Sequence, residues 1–178
     1  MPPTALKGLV RTVPDFPEPG VQFRDITTLI GHPDGLTSSV HHLAEMARAK
    51  NAQKIAGMEA RGFIFGAAVA VQLGLGFVPI RKPGKLPVET IGVDYALEYG
   101  VDRLEIDPQA VVEGERIVIV DDLIATGGTA LASAELLRHA GVLVEDALFV
   151  IDLPDLGGAD RLREAAVDVT VLMAFEGD

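Results

Sequence analysis

Short apolar runs alternate along the chain with longer stretches whose apolar positions recur at helical spacing. Pro33 opens a helix running to about Lys50, since proline is tolerated in a first helical turn. Lys54–Met58 reads as a strand, and the small-residue run from Gly62 as a helix reaching about Leu73. Gly76–Arg81 is a further strand. Tyr95–Tyr99 and Arg103–Ile106 fit a hairpin around Gly100. Arg116–Val120 is a strand, Gly127–Ala140 a helix stopped at Gly141, and Val142–Ile151 another strand. A helix over Gly158–Ala165 leads to a strand over Val167–Ala174. This alternation predicts an α/β fold, a mostly parallel sheet with helices on both faces. No repeat or polar linker interrupts it, so residues 1–178 are expected to form a single domain.

Sheets of this kind bind ligands beyond the carboxyl ends of their strands. Three unusual loops fall at such ends: Glu59–Gly62, the proline- and glycine-punctuated Lys82–Gly92, and Asp121–Gly128. Charge sharpens the picture. The chain carries 15 basic and 26 acidic residues, a formal net charge of −11. A field of that sign disfavours nucleic acid, and it makes the local cluster Arg81-Lys82-Pro83-Gly84-Lys85 stand out. The absence of cysteine excludes a disulfide framework and thiolate metal sites. It fits a cytoplasmic protein, and neither a signal peptide nor a membrane-spanning run is visible. His32, His41, His42 and His139 show no metal-ligand spacing.

The stretch RIVIVDDLIATGGTALASAELL, Arg116–Leu137, places two adjacent acids and a loop of tiny residues between a strand and a helix. Glycines allow a tight turn and close backbone approach, and the helix start offers unpaired N–H groups that favour a phosphate. The hydroxyls of Thr126 and Thr129 add donors. Asp121 and Asp122 would repel a phosphate but suit sugar hydroxyls, or a metal brought in with the substrate. Taken alone, the turn fits equally an ordinary helix cap with solvated acids. It lacks the lysine of a P-loop and the GxGxxG dinucleotide spacing.

The string VIVDDLIATGGTA, Val118–Ala130, resembles the phosphoribosyl-diphosphate motif of the type I phosphoribosyltransferases. FPEPGVQFRDITTLI (Phe16–Ile30), EARGFIFG (Glu59–Gly66), RKPGKLP (Arg81–Pro87) and LEYG (Leu97–Gly100) narrow the likeness to the adenine-specific group of that family. The resemblance implies transfer of the 5-phosphoribosyl group from phosphoribosyl diphosphate to adenine, giving AMP and pyrophosphate with Mg2+, in a cytoplasmic homodimer. It implies that Ala125, Thr126, Gly127, Gly128 and Thr129 bind the 5-phosphate, and that Asp121 and Asp122 hold the ribose hydroxyls. Glu59, Ala60 and Arg61 would form the pyrophosphate loop. Residues 82–92 would be a lid, with Arg81, Lys82 and Lys85 facing the leaving pyrophosphate. Pro83 stands where some relatives carry arginine, which lowers the charge of this lid. Residues 1–30 would cover the base, with Phe23 stacking on it and the backbone of Gln22 and Arg24 reading its edge. Glu98 would share a proton with adenine N7.

Other readings of these residues are plainer: a core position for Phe23, a surface ion pair for Arg61, a solvated loop for the lysines. All five lysines lie at or before Lys85. The family's 6-oxopurine enzymes use a lysine after the signature motif, so hypoxanthine and guanine are disfavoured. Xanthine or another base, or a non-catalytic regulator sensing phosphoribosyl diphosphate, are the alternatives.

Overall fold

The computed structural model describes residues 1–97 and 100–177. Helix α1 (Pro3–Lys7) precedes an antiparallel hairpin of β1 (Arg11–Pro14) and β2 (Gln22–Asp25), then the short α2 (Thr27–Ile30). Helix α3 (Pro33–Ala49) starts as its sequence dictates. Pro33 opens the first turn, and the His32 ring nitrogen Nδ1 accepts from the Gly35 N–H at 3.2 Å. Strand β3 (Lys54–Met58), α4 (Gly62–Leu73) and β4 (Gly76–Ile80) follow. Gly74, in the left-handed conformation, ends α4. A second hairpin pairs β5 (Ile91–Ala96) with β6 (Val101–Ile106). The chain closes with β7 (Ile117–Ile124), α5 (Gly128–His139), β8 (Asp146–Asp152), α6 (Gly158–Glu164) and β9 (Asp168–Ala174).

The central sheet is parallel throughout, in the order β4-β3-β7-β8-β9. Its strands are apolar on both sides, and alternate residues of β7 sort to opposite faces. Ile117 and Ile119 pack with Leu136 and Leu137 of α5 and Leu162 of α6. Val118 and Val120 pack with Leu43 of α3 and Phe65 and Val69 of α4. Each such aliphatic side chain, fully buried, contributes about 1.5–3 kcal/mol.

Several boundaries differ from those expected. Strand β7 continues through both aspartates to Ile124, because Asp121, Leu123 and Ile124 keep pairing with Phe149, Ile151 and Asp152 on β8. The second hairpin begins at Ile91, so the preceding loop ends sooner than Gly92, and its strands pair from Ile91↔Ile106 to Ala96↔Val101. Strand β8 starts at Asp146 rather than Val142. The amino-terminal segment, proline-rich and unread by periodicity, contains both α1 and the first hairpin.

The strand order places one structural singularity at the middle of the sheet. From β3 the chain moves outward to β4, whereas from β7 it moves the opposite way to β8 and β9. The pairing of β3 with β7 stops at Ala56↔Ile119, so the two strand ends part. This is a topological switch point, where open α/β sheets hold their ligands.

Candidate active site

A cavity of about 270 Å³ opens at that point. Met58–Arg61 line it from the end of β3, Asp121–Ala130 from the end of β7, and Lys82 from beyond β4. The Glu59–Ala60 peptide is cis.

The loop Ala125–Thr129 forms the floor. Gly127 has φ +79° at the N-cap of α5, and no side chain caps that helix. Its first-turn N–H groups and dipole are therefore available to an anion. A Cβ on Gly127 would lie 2.8 Å from the Gly158 carbonyl oxygen. The Gly158 N–H donates to the Ala125 carbonyl at 3.0 Å, and a Cβ on Gly158 would come within 2.3 Å of that same oxygen. The start of α6 thus presses backbone against backbone beneath the loop and fixes its shape.

Asp121 and Asp122 form one wall. Asp122 is buried and accepts from Arg61 Nε at 2.5 Å. The Asp121 Oδ1 accepts from the Asp122 N–H at 2.8 Å. It also sits where a Cβ on Gly62 would come within 2.6 Å, so the glycine after Arg61 makes room for this carboxylate. Burial, then the charge of Asp122, pushes Asp121 well above the usual carboxylate range. The pair places two carboxyl groups side by side on the cavity wall, a hydrogen-bonding surface that suits neighbouring hydroxyls. Burial works against the Arg61 charge, but the hydrogen bond and charge of Asp122 outweigh it.

Lys82 forms the opposite rim. Its Nζ donates to Asp102 on β6 and, at 3.2 Å, to the Tyr95 hydroxyl on β5. Glu59 faces the lid base rather than the floor, accepting from the Lys82 N–H and pairing with Arg81 at 3.7 Å.

Other expected site residues lie elsewhere. Arg81 does not line the cavity; its guanidinium turns to Glu59 and the Phe63 ring, 5.8 Å away, while its backbone bridges to Glu105. Lys85 is exposed on the loop. Phe23 lines a second, apolar cavity with Val13, Phe16 and Asp25, its ring 5.1 Å edge-on from Phe16. The Arg24 side chain ties β2 to the C-terminal segment, donating to Thr12 Oγ1 at 2.7 Å and the Gly177 carbonyl at 2.9 Å. Glu98 lies outside the described residues.

Asp25 escaped the sequence reading, yet it lines the apolar cavity and adds to the field that keeps Arg61 charged. Hydrogen bonds from the Thr27 side chain and N–H, then Arg11, lower it from 3.8 to about 2. A carboxylate that is a stronger acid when folded stabilises the fold fully above its unfolded value and loses that effect as pH falls through the folded one. The window here is therefore pH 3.8 down to about 2. Thermal melts from neutral pH down through this window should show Asp25→Asn less stable than the unmodified chain above it, with the gap closing at the acid end. A gap independent of pH would contradict this assignment.

Comparison with known proteins defines the class first. A family model described as a phosphoribosyl transferase domain matches residues 35–172. The chain is 72% identical over 172 residues to the adenine phosphoribosyltransferase of Novosphingobium aromaticivorans, covering 97% of each. To that of Sphingopyxis alaskensis it is 59% identical over 177 residues, covering 99% of this chain and 96% of the relative. The crystal structure of adenine phosphoribosyltransferase from Thermoanaerobacter pseudethanolicus matches with a TM-score of 0.91 at 46% identity, covering 97% of this chain and 99% of that one. The Saccharomyces cerevisiae enzyme, complexed with an imino-altritol bisphosphate and adenine, matches at 0.89 and 36%, covering 96% and 98%. The chain belongs to the adenine phosphoribosyltransferases.

Proposed function

We propose that this protein transfers the 5-phosphoribosyl group of phosphoribosyl diphosphate to adenine, releasing pyrophosphate and forming AMP. The observation that carries this reading is the meeting, in one cavity at the switch point, of an anion-binding helix start, an acidic pair and two cations. Phosphate, diol and diphosphate each find complementary groups there.

The 5-phosphate sits on the N–H groups of Thr126–Thr129, with both threonine hydroxyls donating. Asp121 and Asp122 hold the ribose hydroxyls and so set the sugar's orientation. The bond from ribose C1 to the pyrophosphate oxygen breaks as adenine N9 bonds to C1. Negative charge then grows on the leaving group, where Arg61 offers a fork of donors and Lys82 a point charge. Phe23 stacks on the base, and a base on an aromatic face gains about 1–3 kcal/mol in nucleic-acid examples. Glu98 shares the proton at N7. Residues 82–90, the loop that precedes β5, act as the lid that excludes water from the reacting carbon.

Magnesium belongs to the same proposal. Among the described residues no group of three His, Asp or Glu side chains converges on a metal position. Mg2+ commonly takes one or two carboxylates together with waters and substrate phosphates, a demand that Asp121 and Asp122 fit. When bound, it neutralises charge on the diphosphate.

A homodimer and a cytoplasmic location complete the reading. Helix α4, GFIFGAAVAVQL, is apolar around its whole circumference, yet Ile64 is 38% and Val71 80% exposed, as expected of a face covered by a second copy. Among the described residues no helix is long and apolar enough to cross a membrane.

Purified protein given Mg2+, phosphoribosyl diphosphate and a panel of adenine, hypoxanthine, guanine and xanthine should form AMP from adenine far faster than any other nucleotide. Preference for another base would move the assignment to that base. Failure to make any nucleotide would remove it.

A further inference from the structure

One cluster of side chains touches the rim of the cleft without a part in the chemistry above. Asp102 accepts from Lys82 Nζ, and its Oδ2 lies 3.1 Å from the Tyr95 hydroxyl. Its Oδ1 accepts from the Arg103 N–H at 2.8 Å, so both carboxylate oxygens are engaged. The Tyr95 hydroxyl lies 3.4 Å from Thr129 Oγ1, in the first turn of α5. Four segments are thus joined: the lid base, both strands of the second hairpin, and the phosphate cradle.

We propose that Asp102 is a positioning residue, which holds the Lys82 ammonium at the pyrophosphate side of the cleft and, through Tyr95, ties it to the cradle at Thr129. This inference rests on the function proposed above. An ammonium on a flexible four-carbon stem has three donors and samples many rotamers. Asp102 and Tyr95 occupy two of those donors and leave one for a phosphate oxygen. Burial opposes the lysine charge, while the hydrogen bonds to Asp102 and Tyr95 hold it above its ordinary value. Lys82 in turn, with the Arg103 N–H, keeps Asp102 below the usual carboxylate range. The Tyr95 proton can go to Asp102 or to Thr129, so a phosphate that engages the Thr129 hydroxyl acts directly on the group that orients Lys82.

Field and geometry make opposite predictions for this acid. As a mere negative charge beside a polyanion site, Asp102 weakens substrate binding, and Asp102→Asn should lower the KM for phosphoribosyl diphosphate. As a positioning residue it strengthens binding, and the same change should raise that KM about five- to tenfold while leaving the KM for adenine unchanged. Tyr95→Phe should act in the same direction, about two- to threefold. In a Lys82→Met background, Asp102→Asn should add little, because residues acting through one another are not additive.

The measurement is steady-state kinetics on the unmodified protein, Asp102→Asn, Tyr95→Phe, Lys82→Met and the Asp102–Lys82 double variant. Absence of AMP formation by the unmodified protein overturns the enzymatic reading and this inference with it. Normal turnover there, with the KM for phosphoribosyl diphosphate unchanged or lowered in Asp102→Asn, overturns the inference alone. So does a full effect of Asp102→Asn in the absence of Lys82. If Asp102→Asn does not fold, Tyr95→Phe decides: a raised KM supports the network and an unchanged one refutes it.

Discussion

Alanine at Gly158 should raise the KM for phosphoribosyl diphosphate by about 10²-fold while the protein still folds, a loss on the scale that about 1 Å of misplacement produces. Gly158 lies outside the signature loop and is assigned no contact with substrate. Its effect comes from beneath. The added Cβ would fall 2.3 Å from the Ala125 carbonyl oxygen and 2.8 Å from the Gly127 nitrogen, both backbone atoms that no rotamer change can move. The loop must shift, and the N–H bond from Gly158 to Ala125 is strained with it. The KM for adenine should change little, since Phe23 lies on a separate cavity. Equal losses for both substrates would point to general unfolding and contradict the account.

Arg61→Ala should lower kcat/KM for phosphoribosyl diphosphate by about 10²–10³-fold, the usual effect of losing one donor to charge that develops in a reaction. Its stability cost should be small by comparison. The Asp122 side chain is only 6% exposed and loses its partner, but the Arg61 side chain is 58% exposed, so water screens much of the pair. A cost of about 1 kcal/mol is expected. Arg61→Lys should recover only part of the activity, because a point charge cannot reproduce the planar fork. Activity within a few fold of the unmodified protein in Arg61→Ala would remove this residue from the pyrophosphate site.

Much of this architecture is written in local sequence. Helix α3 is legible because Pro33 marks its first turn and its apolar positions follow helical spacing. The loop before α5 is legible as a phosphate-site candidate through the whole string Val118–Ala130, since a glycine turn between strand and helix fits an ordinary helix cap equally. The length of β7 is not, because Asp121 and Asp122 look like a strand's end, and only pairing with β8 keeps them in the sheet. The amino-terminal hairpin hides behind prolines that break periodicity, although Val13 and Phe23 pair across it. Contacts between distant segments leave no local trace. Arg81 and Lys82 are neighbours in a basic cluster, yet one turns to Glu59 and the other to the cleft. Gly62 and Gly158 carry no chemistry of their own. They matter through the carboxylate and the carbonyl packed against them, which only the fold brings close.

A crystal structure with AMP bound tests the central claim most directly. The account places the nucleotide's phosphate on the N–H groups of Thr126–Thr129 and its ribose hydroxyls against Asp121 and Asp122. A nucleotide seated elsewhere, with that helix start left to water, would contradict it.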